Sequence, residues 1–225
     1  MMREEEYLSV RKKIRERELL DSNLDDAEKE LLSLSEKYPS EGRIYGILSE
    51  IYYWRGEYSL GDKLEIYEKG AAYGEKGVKL SPGSVEANFW LGVNYGFLGL
   101  EKGMLQSYML LDPIEKHFKK AVEIDETFFH GAPHRSFGWF FHQIPPWPIS
   151  KGDNKKAIDH LKKSLKFGPE FPLTHLYIGQ VFLAVKDWKN ARYHLEWTVN
   201  RVGNPLYLKE EARYKDLASS LLKKL

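Results

Sequence analysis

The sequence predicts an all-α fold, about five consecutive helix pairs closed by a C-terminal capping helix. Three observations carry that prediction. Small and apolar residues recur in one order at helical spacing. Prolines such as Pro39 and Pro169 fall where such runs stop. The aromatic residues, 14% of the chain, are spread along it instead of gathered in one block.

Each element can be justified in turn. The first pair, residues 6–39, places Ala27, Leu31 and Leu34 one helical turn apart and ends at Pro39, which cannot continue a helix. The second, 41–82, opens with Tyr45, Leu48, Ser49 and Tyr52 and runs to Trp54, with Gly56 expected to cap its first helix. The third, 84–126, has Asn88, Leu91, Gly92 and Tyr95, then Ile114, Phe118 and Ala121. The fourth, 131–169, has Phe137, Gly138 and Phe141, then Ala157, Leu161 and Ser164. The fifth, 172–203, has His175, Ile178, Gly179 and Phe182, then Ala191 and Leu195. A last helix, 205–224, starts after Asn204-Pro205 and aligns Tyr207, Tyr214, Leu217, Leu221 and Leu225. Bulky-x2-Leu-Gly-x2-Tyr followed by Ala-x3-Phe is the tetratricopeptide (TPR) order, in which the small residue lets paired helices approach. The chain therefore reads as one domain, 1–225, a TPR-like α-solenoid.

Spacing refines this. Ile14 to Leu48 is 34 residues, the TPR period, but the next three intervals are 43, 46 and 41. The excess is assigned to interhelical turns within GDKLEIYEKG, GLEKGMLQSYMLLDP and HQIPPWPISKGD, as long insertions projecting from one side.

Composition limits the function. Lys+Arg 34 against Asp+Glu 33 gives a net charge of +1, which argues against a nucleic-acid partner. With no cysteine there is no disulfide, thiolate metal site or Cys nucleophile. No apolar run reaches membrane-spanning length, and the opening residues lack the apolar core of a signal peptide. No GxSxG, HExxH or P-loop occurs, so no catalytic residue, enzyme activity or cofactor is expected. His130 and His134 have the spacing of a helical metal pair, but Gly131 and Pro133 between them keep them off one regular helix, and no metal is expected. His160 and His194 recur at one repeat position, as packing or surface residues do.

The stretch 130–153 is the most unusual, with four prolines, two tryptophans and Arg135. Arg135 begins a helix after Pro133, Trp139 lies one turn on, and Trp147 lies in the Pro-rich insertion, which can fold back over it. Phe89 and Tyr95 come from the preceding repeat's first helix. The expected ligand site is Phe89, Tyr95, Arg135, Trp139, His142 and Trp147, an aromatic slot ending in a guanidinium that suits a small amphipathic carboxylate. The plainer reading makes Arg135 an ion-pair partner of Glu86 and the aromatics core.

FWLGVNYG at 89–96, LDPIEKHFKKAVEID, GAPHRSFG at 131–138 and IPPWPISKGD at 144–153 resemble the TatT family, the T components associated with tripartite ATP-independent periplasmic (TRAP) transporters. The resemblance covers roughly residues 60–200. It implies a helical scaffold with an internal channel, a periplasmic solute-binding protein as partner, a small amphipathic or apolar ligand and a homotrimer. It also implies a periplasmic location where a lipidated leader precedes this chain, and a cytoplasmic one where the chain is full length. The alternative is a generic TPR adaptor that holds a peptide or protein on its concave groove.

Overall fold

A computed structural model describes residues 1–225. It contains eleven α-helices and no sheet, only one isolated bridge between Pro146 and Gly152. The chain divides into two compact units, Met1–Ile124 and Asp125–Leu225.

The first unit holds α1 (Glu4–Arg15), α2 (Asn23–Lys37), α3 (Gly42–Tyr58), α4 (Leu64–Leu80), α5 (Val85–Lys102) and α6 (Met104–Ile124). They form three pairs, and the register residues Ile14, Ala27, Leu31, Leu48, Leu91 and Ala121 are all buried. Small residues set the spacing. A Cβ on Gly46 would meet the backbone of Ala87, and one on Gly74 would meet Leu91, so α3 and α4 lie directly against α5. A buried polar knot joins all three. Asn94 Nδ2 donates to Ser49 O at 2.9 Å and Ser49 Oγ at 3.0 Å, while Ser49 Oγ donates to Gly70 O at 2.7 Å. Along successive first helices, Arg11 of α1 pairs with the buried Glu50 of α3, and Arg43 of α3 pairs with Glu86 of α5 at 2.7 Å. Trp54 Nε1 donates to the same Glu50 carboxylate at 3.2 Å.

Two expectations are corrected here. Gly56 does not cap α3. It lies inside that helix, and its bare face seats the ring of Tyr67, which leaves no room for a Cβ. The first two insertions are not turns either. The long period is absorbed as helix, because GDKLEIYEKG supplies the first turns of α4 and only Gly103, at φ 86°, separates α5 from α6. Uninterrupted helix formers extend a helix sooner than they make a loop.

The second unit holds α7 (Phe128–Gln143), α8 (Asn154–Phe167), α9 (Pro172–Ala184), α10 (Trp188–Asn200) and α11 (Leu208–Leu222). Gly138 faces Leu161 and Gly179 faces Leu195, each close enough that a Cβ would stand 2.9 Å from the leucine. The third insertion is a true loop. Asp153 N donates to Phe141 O at 3.0 Å and Gly152 N to Pro145 O at 2.9 Å, which ties its base. The cap packs Ala218, Tyr214, Leu221 and Leu225 with Leu176 and Leu195. Leu217, expected on that face, is exposed, because the seam runs through Ala218 one position away.

Near its start α7 is kinked. Phe129, His130 and Gly131 take φ of 44°, 59° and 71°, a left-handed turn that separates His130 from the helix carrying His134. His160 and His194 have packing roles. His134 Nδ1 meets His160 Nδ1 at 2.9 Å, and His175 Nδ1 meets His194 Nδ1 at 3.1 Å, so the two helix pairs carry equivalent histidine pairs. His134 Nε2 lies 3.0 Å from Glu126 Oε2 and His175 Nε2 lies 2.9 Å from Pro169 O. Each of those nitrogens faces an acceptor and must carry a proton. His134 and His175 therefore accept through Nδ1, and His160 and His194 donate.

Candidate functional site

The expected site residues fall in different surroundings. In the first unit Phe89 is core, edge-to-face with Trp90 at 4.8 Å. Tyr95 donates its hydroxyl proton to Glu75 at 2.8 Å, and burial together with that carboxylate holds its pKa above the ordinary phenol value. Glu86, the partner weighed for Arg135, is held by Arg43.

In the second unit Arg135 is buried. Its guanidinium lies 4.1 Å over the ring of Phe171, with Nη1 donating to His130 O at 3.3 Å and Thr174 Oγ1 at 3.5 Å. It thus braces the kink of α7 against the start of α9. Trp139 stacks on Tyr177 at 4.0 Å and lies 5.2 Å from His142. These three half-buried rings make an aromatic shelf on the first helices α7 and α9. His142 Nδ1 is anchored 2.8 Å from Asn154 Oδ1. Trp147 is 85% exposed and covers none of them.

A concavity of the second unit lies elsewhere, between the α8–α9 turn and the C-terminal cap. It measures about 270 Å³, enough for one long side chain. One wall is the turn, held by the bond between His175 and Pro169 O. Phe171 projects from it and stacks on His130 at 5.5 Å, so the left-handed backbone at His130 delivers an aromatic ring to the cleft. The opposite wall comes from the α10–α11 connection. Asn204 Oδ1 accepts from Leu206 N at 3.0 Å, a side-chain turn that brings Tyr207 into the lining.

Carboxylates dominate its charge. Glu210 and Glu211, both buried, and Glu170 on the turn line it together with Arg201, and the guanidinium of Arg135 lies behind its Phe171 wall. Tyr214 donates to Glu210 at 2.6 Å. Arg201 Nη1 stands 2.5 Å from Glu211 Oε1 as an ion pair but off the line of its N–H bond, and Nε meets no acceptor. Glu211 Oε2 also accepts from Asn204 N at 3.2 Å. An acidic pocket walled by aromatic faces is chemically suited to an ammonium or guanidinium group. Sequence reasoning missed it. Two glutamates in the first turn of a helix read as partners of its dipole, and nothing in the sequence brings residue 171 to residue 210. No cluster of three or more His, Asp or Glu able to hold a metal is present.

With the geometry in hand, the class is defined: paired helices repeated in register, a TPR-like α-solenoid fold. Solved structures agree. TTC0263, a thermophilic TPR protein in Thermus thermophilus, superposes with a TM-score of 0.65 at 16% identity over 94% of this chain and 98% of that one. PilW, a widely conserved type IV pilus biogenesis factor, gives 0.62 at 15% identity over 99% and 94%. YrrB, a TPR protein with an unusual peptide-binding site, gives 0.54 at 16% identity over 92% and 88%. No family model matches the chain, and no curated protein sequence matches it.

Proposed function

We propose that this chain is a non-enzymatic TPR-like adaptor that binds an extended segment of a partner protein, taking a lysine or arginine side chain of that segment into the cleft of its second unit. The carrying observation is the cleft itself, whose lining holds three carboxylates and one arginine between the rings of His130, Phe171 and Tyr207, with Arg135 behind Phe171. A basic side chain there would exchange water for carboxylate oxygens and aromatic faces. The fold supports the reading, since TPR-like repeats are binding scaffolds, and one structural neighbour, YrrB, has an unusual peptide-binding site. The test is fluorescence anisotropy with matched Lys/Arg-rich and Glu-rich peptides. Basic peptides are expected to bind more tightly, and Glu170→Lys, a change at an exposed turn position, is expected to weaken them at least tenfold. Equal affinity for both peptides, or no effect of Glu170→Lys, overturns the proposal.

A second reading follows the TatT resemblance, in which a small amphipathic or apolar ligand, a periplasmic solute-binding protein and a trimer belong to the function. The observation in its favour is the shelf of Trp139, His142 and Tyr177, apolar faces left half open on first helices. Native mass spectrometry tests it through the oligomer mass and any retained small molecule.

A further inference from the structure

The near-neutral charge of the whole chain hides a segregation. Met1–Ile124 holds 18 Lys/Arg against 23 Asp/Glu and Asp125–Leu225 holds 16 against 10, so the first unit carries −5 and the second +6. Both excesses are local. Residues 16–30, the α1–α2 turn and the first turns of α2, hold seven carboxylates and two basic residues, −5, and the rest of the first unit balances. Residues 155–192, from α8 to the first turns of α10, hold eight basic side chains and three acidic ones, +5.

The basic residues of α8 share one face. Lys155, Lys156, Lys162, Lys163 and Lys166 fall within about 120° of arc and are all exposed, as are Lys186, Lys189 and Arg192 at the start of α10. The two rows adjoin, since the charge of Lys162 is felt both by Asp187, which caps α10, and by His194. Asp187 is occupied within its own turn, accepting from Asn190 N at 3.2 Å and Asn190 Nδ2 at 2.7 Å. Arg192 pairs with Glu196 at 3.7 Å, which leaves this face at +4. In the acidic corner Asp21 and Asp25 are exposed, and Arg17 is turned inward, 3.5 Å over Trp54. Arg55 pairs with Asp25 and Glu28 and Lys13 pairs with Glu30, which leaves the corner at −3. Each patch also carries apolar side chains in the open. Leu19 and Leu20 lie between Glu18 and Asp21, and Val185, Trp188 and Tyr193 lie among Lys186, Lys189 and Arg192. Apolar residues rimmed by charge are the makeup of a protein interface.

We infer that the acidic α1–α2 corner of one copy of this chain docks on the basic α8–α10 face of another, with Leu19 and Leu20 meeting Val185, Trp188 and Tyr193 inside a ring of opposite charges. Charge complementarity selects a second copy. An anionic bilayer or a nucleic acid matches the basic face and leaves the acidic corner unmatched. A second copy matches both at once, with local charges of nearly equal size and opposite sign and an aliphatic pair set against aromatic rings. The contact is heterologous, because the two patches differ. Every copy offers one of each, so the assembly either closes on itself or propagates. The cleft of the second unit takes no part in it.

Light scattering and sedimentation velocity over a concentration series test this. At roughly 20 mM salt the mass is expected to rise with concentration above that of one chain, and at about 0.5 M salt to return to it. The variants Asp21→Lys/Asp25→Lys and Lys162→Glu/Lys189→Glu, altered only at exposed positions, are each expected to associate about tenfold or more weakly when alone. Mixed in equal amounts they are expected to associate again, because the reversed corner of one then meets the reversed face of the other. Trp188→Ala is expected to weaken association about tenfold and to leave its salt dependence in place. Circular dichroism checks that each variant keeps its helices. A parent that is monomeric at low salt, whether or not phosphatidylserine vesicles capture its basic face, overturns the proposal. So does an assembly indifferent to salt or to either reversal, or failure of the two folded variants to associate when mixed.

Discussion

Acid is expected to destabilise this protein through its paired histidines, starting at a pH above the range where carboxylates titrate. Each pair shares one proton between two Nδ1 atoms about 3 Å apart, and a second proton would set two N–H groups against each other. Burial first, and then the partner histidine, hold His160 and His194 down at about 4 against 6.5. Lys163 and Lys156 add to the effect at His160, where Asp159 opposes it, and Lys162 adds to it at His194. His134 and His175 are lowered as well, again chiefly by burial. The sign follows from linkage. Between pH 6.5 and about 4 the unfolded chain binds protons that the folded chain refuses, so stability falls as pH falls through that window and is fully present above it. Going from pH 7 to 4.5, a full shift of this size corresponds to roughly 2.4 kcal/mol per histidine, and screening at these partly exposed rings reduces it to about 1 kcal/mol each, or about 2 kcal/mol together. Urea titrations followed by circular dichroism from pH 7 to 4.5 measure it. The double variant His160→Gln/His194→Gln, whatever its stability at pH 7, is expected to lose most of the pH slope. An unchanged slope in that variant, or a parent equally stable at both pH values, refutes the reasoning.

Other outcomes follow from the packing. Gly92→Leu and Gly179→Leu are each expected to cost about 1–3 kcal/mol or more, since a Cβ alone would lie 2.8 Å from Phe118 and 2.9 Å from Leu195; thermal melts report it. Asn94→Ala removes the donor that ties Ser49 to α5 and is expected to cost about 1–3 kcal/mol by urea titration. Arg135→Ala and Trp147→Ala are expected to separate: the first loses a buried guanidinium packed on Phe171 and melts several degrees lower, while the second, at an exposed ring, stays within about 0.5 kcal/mol of the parent.

The repeat was legible in the sequence because it is local. Leu48, Leu91, Phe137 and Ile178, each beside or near a small residue, announce helices that must pack closely, and Pro39 and Pro169 mark where they stop. Helix periodicity needs only neighbours three and four residues away, and the sequence displays those directly. The lengths of the middle helices were harder, because residues such as MLQSYMLL suit an exposed helix and an ordered loop alike; only the bonds of Ser107 to Gly99 and Gly103 show that they continue α6. Chemistry between helices was not legible at all. His134 meets His160 across 26 positions, and Arg135 reaches Thr174 across 39. The cleft draws together residues from His130 to Tyr214. Burial, a proton's location and the charge of a pocket are set by which side chains arrive from distant parts of the chain, and that is decided when the helices pack.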